Sequence, residues 1–165
     1  MGTSRLGNAL GSALFLAVAP GVVAGLVPWL LTGWEAGATR PPLQVVGALM
    51  IVAGAVVLLD SFARFVVEGF GTPAPVAPTE RLVVGGLYRY VRNPMYLAVG
   101  ATIVGQALLF ARPILLFYAA AFAAVVFTFV RLYEEPTLAD QFGAEYEDYR
   151  RAVRGWWPRL RPWRG

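Results

Sequence analysis

The sequence predicts an all-α, polytopic membrane protein with about four transmembrane helices and a C-terminal amphipathic helix. Three observations carry this. The 165 residues are 58% hydrophobic and 15% charged, against roughly 45–50% and 25% in soluble domains. Four stretches hold no charged residue: 29 residues from Leu6 to Trp34, 19 from Pro41 to Leu59, 19 from Asn93 to Ala111 and 18 from Pro113 to Val130. A bilayer core about 30 Å thick needs roughly 20 such residues as helix, and soluble helices keep a polar stripe that these windows lack. Finally, the arginines are lopsided. With four crossings, twelve of the fourteen fall on the side of the termini and the middle loop, and only Arg40 and Arg112 on the other. That asymmetry predicts cytoplasmic termini. The basic pI therefore reads as positive-inside bias and attraction to anionic lipid rather than nucleic-acid binding.

The chain reads as a single domain, 1–165. Its spans cover about 9–31, 43–59, 94–110 and 113–133, with a cytoplasmic loop over 60–93 and an interfacial segment over 134–165. The first apolar stretch is too long for an ordinary cleaved signal peptide. Span one carries Pro20 and Pro28, which predict kinks. Its Gly7/Gly11 and Gly21/Gly25 pairs form GxxxG patterns that predict close helix packing. The helix of span two continues past the membrane to about Glu68, so Asp60, Arg64 and Glu68 form an i, i+4, i+8 charge ladder. Phe62, Phe65 and Val66 suit its buried face.

The run Gly69 to Pro78 holds three prolines and predicts an extended path. Arg81 to Arg92 reads as a structured loop. Pro94 opens span three as its first helical residue, and Arg112-Pro113 makes a tight turn, so spans three and four form an antiparallel hairpin. Pro136 is expected to break or bend the chain. A new helix then runs from Thr137, as N-cap, to Val153. Leu138, Phe142, Tyr146, Tyr149 and Val153 share one face of it, suited to the membrane surface or to packing on the loop. The tail from Trp156 to Arg164 interleaves tryptophan with arginine, as an interfacial anchor does.

The sequence has no cysteine, histidine or lysine. Thiol and Schiff-base nucleophiles are excluded, as are imidazole bases and imidazole metal sites; no metal partner is expected. No ionisable residue lies mid-span, which disfavours an ion-coupled transporter. Polar groups gather instead at the predicted cytoplasmic ends of the spans. One set is Tyr88, Arg89, Tyr90, Arg92, Asn93 and Tyr96; the other is Arg131, Glu134 and Glu135. The hairpin brings the two together. Arginines can hold a carboxylate, glutamates an ammonium or ribose hydroxyls, and tyrosines can stack on a base. A zwitterionic, nucleoside-like ligand fits this set, and so does a salt-bridge cluster that seals helix ends. On residue type alone the two stand level.

Two motifs separate them. Gly86-Leu87-Tyr88-Arg89-Tyr90-Val91-Arg92-Asn93-Pro94-Met95-Tyr96 resembles the G-x-Y-x-x-x-R-[HN]-P-x-Y signature of the isoprenylcysteine carboxyl methyltransferases and their phospholipid N-methyltransferase relatives. Glu134-Glu135-Pro136-Thr137-Leu138, followed by Phe142-Gly143, Tyr146 and Tyr149, resembles their E-E-x-x-L-x-x-x-F-G-x-x-Y-x-x-Y signature. Gly69 to Pro73 is similar to bacterial members. The resemblance covers roughly Glu68 to Pro158. It implies an S-adenosylmethionine-dependent methyltransferase whose cofactor lies in a cytoplasm-facing pocket and whose acceptor comes from the membrane. By the same resemblance Tyr88, Arg92, Asn93, Tyr96, Glu134, Glu135, Leu138 and Tyr146 form the cofactor pocket. Arg89 or Arg131 would orient an acceptor carboxylate, and Glu134 or Glu135 would take the proton of an amine. Asn93 stands where the family often has histidine, and Pro136 interrupts the second motif.

The implied acceptor is lipid-like or hydrophobic: an isoprenylcysteine-type carboxylate or a phospholipid amine, with a small thiol or quinol as the alternative. Four spans are fewer than the larger eukaryotic carboxyl methyltransferases have, which weighs against a prenylated protein. A non-catalytic membrane scaffold or a small transporter is the alternative outside this chemistry; a scaffold would not need both signatures.

Overall fold

A computed structural model describes residues 5–68 and 79–165 of the chain. The segment Gly69 to Pro78, with its expected extended path and its likeness to bacterial members, lies outside the described residues, as do Met1 to Ser4. Helices are the only regular elements among the described residues: α1 (Arg5–Gly21), α2 (Val27–Thr32), α3 (Pro41–Val67), α4 (Pro94–Phe110), α5 (Ile114–Phe129), α6 (Glu135–Phe142) and α7 (Ala144–Ala152), with a short 3₁₀ turn at Gly86–Arg89. Two continuous helices are long and apolar enough to cross a membrane: Pro41–Val67, with 27 residues, and Ile114–Phe142, with 29. Their outward faces are apolar, with Val56, Leu59, Phe117 and Val125 all exposed. Water would not tolerate so large an apolar surface, whereas lipid is its natural solvent.

α4 is the central helix. It packs against α3, α5 and the first helical rod, and Val99, Ile103 and Ala107 form a core with Leu115. The closest approach is at α3. A Cβ on Gly47 would meet the Gly105 carbonyl at 2.5 Å, and one on Gly105 would meet the Gly47 carbonyl at 2.7 Å. Glycine on both helices is what lets the backbones touch. Close packing was expected of span one instead, yet Gly25 has open space where a Cβ would go. Small residues permit contact only where a partner arrives.

Pro28 and Pro136 share a local solution. Each sits two residues after a π turn, Val22–Leu26 and Val130–Glu134 respectively, and the helix continues through both. Proline has no N–H and its ring crowds the carbonyl four residues back, and a wider turn relieves both problems. Pro136 therefore does not break the chain. Thr137 is no N-cap, and its hydroxyl donates to the Tyr133 carbonyl at 2.6 Å. In the first π turn Val27 N–H bonds Val22, one residue further back than in an α-helix. Side chains take the carbonyls left over: Tyr118 Oη donates to Val23 at 2.6 Å and Gln106 Nε2 to Ala24 at 2.6 Å.

The tight hairpin turn is as expected. Ala111 adopts a left-handed C-cap after α4, and α5 starts at Ile114. Arg112 clasps the α2–α3 loop there through Glu35, with its Nη2 3.2 Å from the carboxylate. At the opposite end of α3 the charge ladder forms: Arg64 lies 3.6 Å from Asp60 and 2.7 Å from Glu68.

The expected single C-terminal helix is two. Gly143 takes φ +54°, ψ −126°, a conformation L side chains resist, and α7 turns away from α6. The predicted apolar face survives the break. Tyr146, Tyr149 and Val153 form a second core with Leu138, Phe142 and Leu82. The tail is not merely an anchor. It returns along the first motif: the Arg92 and Asn93 N–H groups donate to Arg154 and Gly155, while Arg159 and Trp163 N–H donate to Tyr90 and Arg89. Segment 89–93 lies between helices with unspent backbone groups, and the tail supplies their partners.

Candidate functional site

The first motif leads from the 3₁₀ turn into α4, and the second sits on the π turn and α6. The hairpin and the π turn bring them together at one end of α4. A cavity of about 630 Å³ lies between them, a size suited to a cofactor-sized molecule. Of the expected cofactor residues, Tyr88, Arg92, Asn93, Tyr96, Glu134, Glu135, Leu138 and Tyr146 all line it. Phe15, Phe65, Met95 and Phe129 add apolar wall.

The two adjacent glutamates are held differently. Glu135 is buried and collects three arginines: Arg92 at 3.0 Å, Arg131 at 3.1 Å and Arg150 at 3.6 Å. Glu134 makes no salt bridge among the described residues: its Oε2 accepts from Tyr96 Oη at 2.8 Å, and Arg92 acts on it only from beyond ion-pair distance. Arg92 also donates from Nη1 to Tyr146 Oη at 3.0 Å. Burial pushes the Tyr146 hydroxyl above its ordinary value, against the pull of Arg92, so it keeps its proton. Arg92 Nε and Asn93 Nδ2 are buried without a hydrogen-bond partner among the described residues. Both side chains pack against Gly155 of the tail.

Two expected residues stand apart. Arg131 lies at the rim, its side chain 62% exposed, and reaches the cavity only through Glu135. Arg89 does not line the cavity. The 3₁₀ turn buries Tyr88 against Phe65 and places Leu87 and Arg89 on the other side, where Arg89 Nε donates to the Trp163 carbonyl at 2.7 Å. Arg150 was missed as a partner of Glu135. Its spacing of four from Tyr146 on a helix was the available signal. Phe15 and Phe65 had no such signal, because their place in the wall depends on how the helices pack.

The site's chemistry can be tested against a nucleoside sulfonium cofactor. That molecule carries a carboxylate, an ammonium, a sulfonium and ribose hydroxyls. Arg92 and Asn93 in the lining carry donors that suit acceptor atoms, and Glu134, which makes no salt bridge among the described residues, suits a cation. The residues present fit. Among the described residues no group of three or more acidic side chains is placed to hold a metal.

The comparisons agree with the motifs. A family model described as phospholipid methyltransferase matches residues 43–145, well over half of the chain. No curated protein and no solved structure is significantly similar. The matched region runs from α3 to the start of α7 and holds the first motif whole, the second as far as Gly143, and most of the cavity wall, so the chain belongs to the phospholipid methyltransferase family, membrane methyltransferases of the phospholipid and isoprenylcysteine type.

Proposed function

We propose that the chain is an S-adenosylmethionine-dependent integral-membrane methyltransferase acting on a lipid-like acceptor, a phospholipid amine or an isoprenylcysteine-type carboxylate. The observation that carries this reading is the asymmetry of the glutamates. Glu135 is neutralised by arginines at ion-pair distance, while Glu134 presents to the cavity a carboxylate held by a tyrosine and, among the described residues, no salt bridge. A seal for helix ends would pair both.

When bound, S-adenosylmethionine supplies an electrophilic methyl group and a neutral thioether leaving group. The protein then needs no acid and no metal, only alignment and exclusion of water. Arg92 and Asn93 would bind acceptor atoms of the cofactor, and Tyr96 would hold the Glu134 carboxylate toward its positive charge. For an amine acceptor, Glu134 is the group placed to take the departing proton. For a carboxylate acceptor, Arg131 at the rim is the available cation, with Arg89 turned to the other side. The apolar wall of Phe15, Phe65 and Phe129 suits a hydrophobic acceptor. We place the whole chain in one domain with four crossings, at about 9–31, 43–59, 94–110 and 113–133, and with the site and both termini cytoplasmic.

Titration calorimetry of the detergent-purified protein tests this. Heat of binding is expected for S-adenosylmethionine and S-adenosylhomocysteine; none for either overturns the reading. Glu134→Gln should weaken the sulfonium at least tenfold more than the neutral thioether, because only the former loses a counter-charge. Incubation with labelled methyl donor and membrane lipid then identifies the acceptor.

A further inference from the structure

A second cavity, about 580 Å³, lies on the far side of the first motif. It shares no lining residue with the first. Val56 and Val57 form one wall, Asp60 and Arg64 lie beyond them along α3, and Arg89 and Tyr90 face them from the loop. The groove thus straddles the boundary where the uncharged window of α3 ends at Leu59 and the charge ladder begins. Below that line the wall is hydrocarbon; above it stand Arg64, Arg89 and the Tyr90 hydroxyl, with the Asp60 carboxylate turned to Arg64 at 3.6 Å.

The charges in the groove are unequally spent. Arg64 is shared between Asp60 and Glu68. Arg89 has no carboxylate partner among the described residues, and neither does the Tyr90 hydroxyl have a hydrogen-bond partner there. The one bond the Arg89 side chain makes among the described residues, from Nε to the Trp163 carbonyl, fixes the guanidinium and leaves both terminal nitrogens for a ligand. Gly86 keeps the groove open: its φ is +54°, and a Cβ there would lie 2.6 Å from Arg64 Nε. The tail that closes the groove with Pro162 also carries Trp157, 73% exposed, and Leu160, 99% exposed. Side chains like these, projecting from an arginine-rich segment, belong in a headgroup layer.

We infer that this groove holds a membrane phospholipid, its phosphodiester on Arg89 and Tyr90 and its acyl chains along Val56 and Val57. A paired Arg–phosphate contact at the headgroup boundary supplies the specificity, and the apolar wall the rest. This lipid is not the methyl acceptor, because the Gly86–Arg89 turn and buried Tyr88 separate it from the large cavity. Its role is to seat the first motif at a set depth, and it does not depend on the chemistry of the other site.

Native mass spectrometry of the full chain, stripped of lipid and re-exposed to dioleoyl-phosphatidylglycerol, tests this. One retained phospholipid per chain is expected, with at least a tenfold loss of retention in Arg89→Gln. Arg151→Gln removes the same charge from an exposed arginine paired with Asp148, and it should retain lipid as the parent does. Equal loss in both variants would mean general charge attraction and overturn the site. Dioleoylglycerol, which lacks the phosphate, should not be retained, and inorganic phosphate at equal concentration should not compete. Retention of the first, or competition by the second, overturns a phospholipid ligand. If Arg89→Gln fails to fold, Arg89→Lys keeps the charge but not the fixed fork. It should retain lipid several-fold less well, and unchanged retention counts against the proposal.

Discussion

Removing the Glu135 carboxylate leaves three arginines without their shared partner, and the structure says that they will not suffer equally. Arg92 and Glu135 are both nearly out of solvent, at 13% and 9% side-chain exposure, and 3.0 Å apart. At an effective dielectric near 20, their gross attraction is about 5 kcal/mol. Desolvation offsets part of it, and breaking such a buried pair from one side costs about 3–5 kcal/mol. Arg131 is 62% exposed, so its attraction is screened to below about 1 kcal/mol. Arg150, at 36% exposure and 3.6 Å, belongs with Arg131. Double-mutant cycles between Glu135→Gln and each arginine→Gln give the coupling energies, read from reversible unfolding in mixed micelles by circular dichroism. The Arg92 coupling is expected to exceed that of Arg131 by at least about 2 kcal/mol. Equal couplings would refute the reasoning, because they would mean that burial does not govern the cluster. The same Glu135→Gln and Arg92→Gln proteins should lose S-adenosylhomocysteine binding while their helical signal persists.

Three further outcomes follow from the packing. Gly47→Ala drives a Cβ against the Gly105 carbonyl and should cost about 1–3 kcal/mol, whereas Gly25→Ala, with open space, should be neutral or stabilising by up to about 1 kcal/mol in the same unfolding assay. Gln106→Leu strips the donor from the Ala24 carbonyl and the acceptor from Trp34 Nε1, bonds of 2.6 and 3.0 Å, and should cost about 1–3 kcal/mol. Burial raises the Tyr146 and Tyr149 hydroxyls above their ordinary value near 10. A raised folded-state value leaves stability intact below pH 10 and erodes it above, so unfolding midpoints should be flat from about pH 7 to 9.5 and then fall. A Tyr146→Phe, Tyr149→Phe protein should fall less steeply.

Much of the arrangement was legible in the residues because apolar windows and tight turns are local properties. The ends of α3 and α4 and the Arg112-Pro113 turn could be read from charge and proline alone. Eight residues of the cavity wall could be named because two motifs with fixed spacing had to meet once the hairpin closed. What was missed depended on partners far along the chain. The contact at Gly47 and Gly105 joins residues 58 apart, and nothing in either local sequence distinguishes them from Gly21 and Gly25. Pro136 was misread because proline's cost was counted without the π turn that relieves it. The tail was misread because tryptophan and arginine suit an interface and a folded strap equally well; Trp157 and Leu160 stay exposed, while Trp163 packs against Tyr149.

The π turn at Val130–Glu134 has a consequence for the rotational phase of its helix. An α-helix advances about 100° per residue, and a π turn accommodates one residue more than the α pattern would. The lipid-facing stripe of α5 and the cavity-facing stripe of α6 are therefore offset by that one residue. Deleting Leu132 would restore an unbroken α pattern and keep α5 in its place in the bundle. It would leave Glu134 and Glu135 facing Tyr96 and Arg92, whereas an α turn that kept all five residues would swing them about 100° away. The inserted residue lets one continuous rod satisfy two surroundings whose periodicities do not match.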